Sequence, residues 1–292
     1  MTVGTRFSQF MSNLMLTEAQ QADGQTKHSG VKQCLNEWYY GSKYAGNGFL
    51  VGSWGKSTEI RPPRDIDIMF VLPKEVYDRF EKYSGNKQSQ LLQEVKYVLE
   101  RSYSTTNMSA DGQVVIVPFG SYGVEVVPAF ALQNGQYWIC NTNSGGSYKA
   151  SDPTAEIKNV KDSNSASGGN TRDLIRMMKR WQEYCNLSLK SFVIELLCIE
   201  FIAAWPHKTQ GTTFYDWMVR DFFFFLKQKS SWSLVFVPGT YETIYLNSGD
   251  WQSKAESAYN RAVKATQYET DNCPYLAGAE WQKIFGADIP TG

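Results

Sequence analysis

The 292-residue chain has no excess of either charge: 29 Lys and Arg balance 29 Asp and Glu. A neutral chain exerts no general pull on long nucleic acids or anionic membranes, so its ligands are sought first among small molecules. Histidine is nearly missing, with only His28 and His207 far apart in sequence. The five cysteines (Cys34, Cys140, Cys185, Cys198, Cys273) include no CxxC pair. A zinc site therefore has little support, and reduced, mostly structural thiols in a cytoplasmic protein are expected. No run approaches the roughly 20 apolar residues that span a bilayer. The opening MTVGTRFSQFMSNLMLTEAQ lacks the charged leader and apolar block of a signal peptide. No membrane role is expected.

What is present is an ordinary globular balance, 42% hydrophobic and 20% charged, which is not that of a mainly disordered chain. Phe7, Phe10, Met11, Leu14 and Met15 recur at helical spacing, DGQTKHSG interrupts, and Val31, Leu35 and Trp38 resume. This reads as helix, break, helix. GFLVGS is a short strand entering a turn, and RDIDIMFVLP alternates Ile66, Ile68 and Phe70 against Asp65, Asp67 and Met69 before Pro73 stops it. Residues 88–103 read as an amphipathic helix, and QVVIVPFGSYGVEVVPAF as two strands about a tight turn. From KDSNSASGGN (161–170) onward, a stretch with loop chemistry, nearly everything is helical. Four adjacent phenylalanines, Phe222 to Phe225, suit a buried helix. Two lobes are expected, 1–165 with mixed α and β structure and 166–292 helical.

Gly55-Lys56-Ser57 invites a Walker A reading. That motif needs a glycine five positions before its second glycine, and Leu50 stands there. The remaining pattern is more specific. Gly52-Ser53 follows a strand, eleven residues intervene, and Asp65-Ile66-Asp67-Ile68 begins the next strand. Alternation projects both aspartates from one face. Two carboxylates so placed are costly unless a cation lies between them, and glycine lets backbone N–H groups approach a phosphate. A single DxD arises often by chance on a solvent face; the full pattern does not. Glu125, between Val124 and Val126, adds a carboxylate to an otherwise apolar strand, an unfavourable placement without a partner.

This pattern resembles the nucleotidyltransferase superfamily that includes DNA polymerase β. The resemblance implies an α/β (α+β) fold: a polymerase β-like lobe with a mixed β-sheet, plus an all-helical C-terminal lobe, with the active site in the cleft between them. It makes Glu125 the third carboxylate, where Asp is usual. Two Mg²⁺ ions, with Mn²⁺ as a substitute, would then lie about 3.5–4 Å apart on Asp65, Asp67 and Glu125. The helical region narrows the resemblance. RDLIRMMKRW places Arg172, Arg176 and Lys179 on one helix face, a basic stripe that in most helices is an ordinary solvated face, and Ser188 reads as an N-cap that puts Lys190 and Ser191 in the next helix's first turn. MKRW, LKSF and the ending AEWQKIFGADIP resemble the oligoadenylate synthase and cyclic GMP-AMP synthase group, most closely the bacterial CD-NTases. That resemblance implies triphosphate contacts from Lys179 and Ser191 beside Gly52 and Ser53, and base stacking on Phe192, which reads equally as core. It further implies nucleoside triphosphate substrates, a cyclic di- or trinucleotide product, anti-phage (CBASS) signalling, a regulatory protein partner and a product-activated effector. The zinc-binding insertion of the animal DNA sensor is missing, so direct binding of double-stranded DNA is not expected. A transferase with a linear product and an inactive nucleotide-binding scaffold are the rival readings; the complete carboxylate set weighs against the second.

Overall fold

Local sequence rules account for most of the elements in the computed structural model, which describes residues 1–44 and 46–292. The chain opens with α1 (Val3–Leu14) and α2 (Glu18–Tyr40), followed by β1 (Gly48–Leu50), the five-residue α3 (Gly52–Lys56) and β2 (Ile66–Val71). Helices α4 (Lys74–Phe80) and α5 (Lys87–Glu100) lead to β3 (Ser109–Asp111), β4 (Val114–Pro118), β5 (Gly123–Ala131), β6 (Tyr137–Asn141) and β7 (Ser147–Ser151). Then come α6 (Pro153–Ala166), α7 (Asn170–Tyr184), α8 (Ser191–Ala204) and α9 (Tyr215–Lys227), the hairpin β8 (Leu234–Phe236) and β9 (Thr243–Tyr245), α10 (Trp251–Thr270) and α11 (Pro274–Phe285). The hairpin is a short departure from the helical character expected after residue 165.

The seven-stranded sheet has the order β1-β2-β5-β4-β3, with β6 also on β5 and β7 on β6. Among the described residues only β2 and β5 pair in parallel; the other pairs are antiparallel. One sheet face, including Ile66, Ile68 and Phe70, packs against Leu91 and Val95 of α5 and Val31 of α2. The other face carries a small core of Val51, Met69, Ala129 and Ile139. The period-2 alternation of β2 thus separates two cores.

Two local expectations are corrected. DGQTKHSG does not break a helix: α2 runs through it. The break falls at residues 15–17, where Thr17 caps α2, its hydroxyl accepting from Gln20 N–H while the Gln20 side chain accepts from Thr17 N–H. Gly24 lies inside α2 because a Cβ there would come within 2.3 Å of the Trp54 ring. The expected loop at 161–170 is helical to Ala166, with its polar side chains largely on a solvated face, and only Ser167 to Gly169 turn the chain. Helix α1 packs with the helical region. Phe7, Phe10 and Leu14 join the helical core with Trp181, Phe223 and Trp281, and the Phe7 and Trp281 rings meet edge to face at 5.4 Å. The apolar face of α1 is completed by the C-terminal helix, a contact 274 residues away in sequence. Among the phenylalanines of α9, Phe222 and Phe223 are buried but Phe224 is half exposed. No helix among the described residues is long and apolar enough to cross a membrane.

The capping box gives a small, separable test. Thr17→Ala removes one of the two reciprocal bonds and is expected to cost about 1 kcal/mol, a drop of about 2–4 °C in the unfolding midpoint. Differential scanning calorimetry checks it; an unchanged midpoint would show that tertiary contacts alone define the start of α2.

Candidate active site

Parallel pairing of β2 with β5 sets Asp67 directly opposite Glu125. Asp65 immediately precedes β2, and alternation carries it to the same side as Asp67. Each aspartate rests against a glycine. At Gly52 (φ +56°) an added Cβ would lie 1.9 Å from Asp67 Oδ2, and at Gly123 one would lie 2.3 Å from Asp65 Oδ1. The N-terminus of α3 therefore sits directly on the Asp67 carboxylate. Ser53 N–H donates to that carboxylate, and Val51 N–H donates to the Asp67 carbonyl at 2.9 Å.

Burial, and secondarily the Asp65 charge, push the Asp67 carboxyl up to about 6, partly opposed by Lys179, Lys56 and the Ser53 N–H. Burial, then Asp67 and Asp65, push Glu125 up to about 7. The three groups repel one another, the condition that a bound cation relieves. Among the described residues no three potential ligands converge on one point at coordinating distance. The all-oxygen donor set and its accumulated negative charge nevertheless fit a hard divalent cation.

All three carboxylates line a cavity of about 420 Å³, together with Gly52, Ser53, Lys179, Ser191 and Phe192. The size suits a small organic ligand. Ser191 is the first residue of α8 and donates its hydroxyl to Gln182 Oε1 at 2.6 Å. Ser188 is not the N-cap. Lys190 occupies that position without a side-chain cap, and the Ser188 hydroxyl donates to Asp250 Oδ1 at 2.6 Å. Lys179 is buried, with its Nζ donating to the Thr58 carbonyl and hydroxyl, both at 2.9 Å; burial lowers its pKa to about 8. Phe192 packs against the helical core and also lines the cavity, where Lys56 Nζ lies over its ring, 4.6 Å from the centroid.

Several wall residues were not anticipated. Lys56 is not a phosphate-loop lysine: its buried Nζ pairs with Glu156 at 2.9 Å and Glu195 at 2.7 Å. Glu59 brings a further carboxylate whose Oε2 is buried without a hydrogen-bond partner. The only sequence signal for Glu195 was a charge amid FVIELLCIEF, a placement that requires a partner. Gly123 looked like a hairpin residue, and nothing local pointed to its contact with Asp65.

A glycine-seated helix end, paired carboxylates on parallel strands and a helical wall over one cavity define a nucleotidyltransferase of the polymerase β type. Residues 1–164 match the family model described as the Second Messenger Oligonucleotide or Dinucleotide Synthetase domain. The chain belongs to that family of bacterial CD-NTase enzymes. A probable cyclic nucleotide synthase of Bacillus cereus (strain VD146) is 21% identical over 339 aligned positions, covering 99% of this chain and 98% of the relative. Escherichia coli MS115-1 CdnC, solved in complex with HORMA-deltaN, shares the fold with a TM-score of 0.68 at 17% identity, over 98% of each chain. The apo form of Vibrio cholerae DncV gives 0.67 at 16% identity, over 83% of this chain and 68% of that one.

Proposed function

We propose that the protein joins nucleoside triphosphates into a cyclic di- or trinucleotide and releases pyrophosphate. The observation that carries this reading is the register of Asp67 against Glu125, which places both carboxylates, with Asp65, beside the α3 cradle in a cavity walled by α7 and α8. Gly52 and Ser53 would present backbone N–H groups to the triphosphate, and Lys179 and Ser191 would hold it from the helical side. Phe192 would offer a ring to a base. Asp65, Asp67 and Glu125 would hold two divalent cations, Mg²⁺ with Mn²⁺ as a substitute, which supply charge neutralisation for an attacking hydroxyl and a leaving pyrophosphate. The chain's own contribution is alignment of a hydroxyl with the α-phosphorus in a partly dry cavity. Cyclisation would follow when the linear product returns its triphosphate to the same cradle.

The setting we propose is anti-phage signalling in the cytoplasm, with the product activating a separate effector and a protein partner regulating the enzyme. The family supports the nucleotide product, and the fold shared with CdnC, which was solved with a HORMA partner, supports the regulatory partner. The test is incubation with all four ribonucleoside triphosphates and Mg²⁺ or Mn²⁺, then phosphatase treatment and mass spectrometry. A phosphatase-resistant cyclic di- or trinucleotide is expected. A linear or acceptor-linked product would overturn cyclisation while retaining nucleotide transfer.

A further inference from the structure

Helix α3 has five residues, too few to be stable alone, yet its first residues form the phosphate cradle. Its position depends on what grips its far end, where helix carbonyls need partners. Those partners come from α7. Arg172 Nε donates to the Lys56 carbonyl at 3.0 Å, an Arg176 terminal nitrogen donates to the Ser57 carbonyl at 2.7 Å, and Lys179 Nζ donates to the Thr58 carbonyl at 2.9 Å. Three consecutive carbonyls thus meet three cations from one helix face, spaced four and then three residues apart. The Lys56 side chain extends the grip to Glu156 on α6 and Glu195 on α8.

The basic face of α7 therefore has a different task from the one its charge suggests. Lys179 borders the cavity, but among the described residues Arg172 and Arg176 do not line it. We propose that Arg172 and Arg176 are positioning residues for nucleotide transfer. They fix the α3 cradle relative to Asp65, Asp67 and Glu125 by holding the backbone of residues 56–57, and they do not touch the nucleotide. The inference rests on the reading of this site as a nucleotide-transfer centre. A displacement of the cradle by about 1 Å is enough to cost a hundredfold in rate.

The test compares wild type with Arg172→Met and Arg176→Met, using steady-state kinetics with ribonucleoside triphosphates and Mg²⁺ and hydrogen exchange of the segment 50–60. Each variant is expected to lower kcat about tenfold to a hundredfold while KM stays within about threefold. Amides of α3 should exchange faster while those of α10 and α11 keep their protection. Arg176→Lys, which retains a charge and donors without the guanidinium geometry, should recover most of kcat. A raised KM with unchanged kcat would make the arginines direct phosphate ligands and overturn the proposal; so would unchanged exchange in α3. If wild type yields no nucleotide product, the transfer reading fails and exchange still decides whether the clamp exists. Should the methionine variants not fold, the lysine variants at both positions carry the same two readouts, with smaller changes in the same direction.

Discussion

Asp67→Asn is expected to abolish nucleotide transfer and to leave a protein that is folded and more stable than wild type when divalent cations are removed. Cation-based charge stabilisation is worth several kcal/mol, and about 4 kcal/mol corresponds to a thousandfold in rate. A loss of about a thousandfold or more is therefore expected. The gain in stability follows from the same carboxylate. The folded protein holds the Asp67 proton up to about pH 6, against an ordinary aspartate value of 3.8. Between those values the folded state binds more protons than the unfolded chain, so stability of the cation-free wild type falls as pH rises through this window and levels off above it. Glu125, pushed up to about 7, extends the decline toward neutrality, though its partial solvation weakens the effect. Two units at about 1.4 kcal/mol each, discounted for mutual coupling, give about 1–3 kcal/mol for Asp67. Asparagine keeps the shape against Gly52 and an oxygen for the Ser53 N–H, yet carries no charge. Thermal melts in chelator from pH 4 to 8 should slope downward for wild type and less steeply for the variant, and Mg²⁺ should raise the wild-type midpoint selectively. Wild-type turnover by Asp67→Asn would remove Asp67 from the reaction; a destabilised variant would show the carboxylate to be structural.

The carboxylate site was legible because its signals are local or obey a simple period. Two aspartates one residue apart must share a face if they lie on a strand, and a glycine-serine pair after β1 marks a turn. Glu125 was legible as an unsupported charge in an apolar strand, although its pairing with Asp67 needed the sheet register. The misread positions depend on partners distant in sequence. Gly24 has the local character of a breaker; Trp54, thirty residues later, supplies the reason for its place inside α2. The polar run 161–166 looks like a loop because a solvated helix face and a loop share a composition. Helical periodicity placed Arg172, Arg176 and Lys179 on one face, which for a helix with three basic residues reads first as an ordinary solvated face. That face instead meets backbone carbonyls, which carry no formal charge and leave no trace in composition. Lys56 was correctly separated from a Walker A motif by counting, and its burial between Glu156 and Glu195 required three elements to be in place.

A second large effect is expected at Gly52, where strain and collision can be separated by a glycine series. Gly52→Ala would place a side chain at φ +56° and 1.9 Å from Asp67 Oδ2. Left-handed backbone costs a non-glycine residue about 1–2 kcal/mol, and forcing an atom into filled space typically costs about 1–3 kcal/mol. Gly123→Ala meets Asp65 Oδ1 at 2.3 Å without a positive φ, and Gly120→Ala meets nothing within 4 Å and has no positive φ. Stability should therefore fall most at Gly52, less at Gly123, and hardly at Gly120. Turnover should follow a sharper order, because in the first two variants the added Cβ can be accommodated only by shifting an aspartate of the proposed metal site or the backbone beside it. Loss at Gly52 is expected to reach at least a hundredfold, the scale of about 1 Å misplacement. Pairing Gly52→Ala with Asp67→Ala identifies the cause in the melts. Shortening Asp67 removes the colliding oxygen, so the double variant should regain the collision part of the lost stability and keep the strain part. Strict additivity of the two substitutions would mean that the α3 backbone does not rest on the Asp67 carboxylate, and the cradle would have to be placed elsewhere.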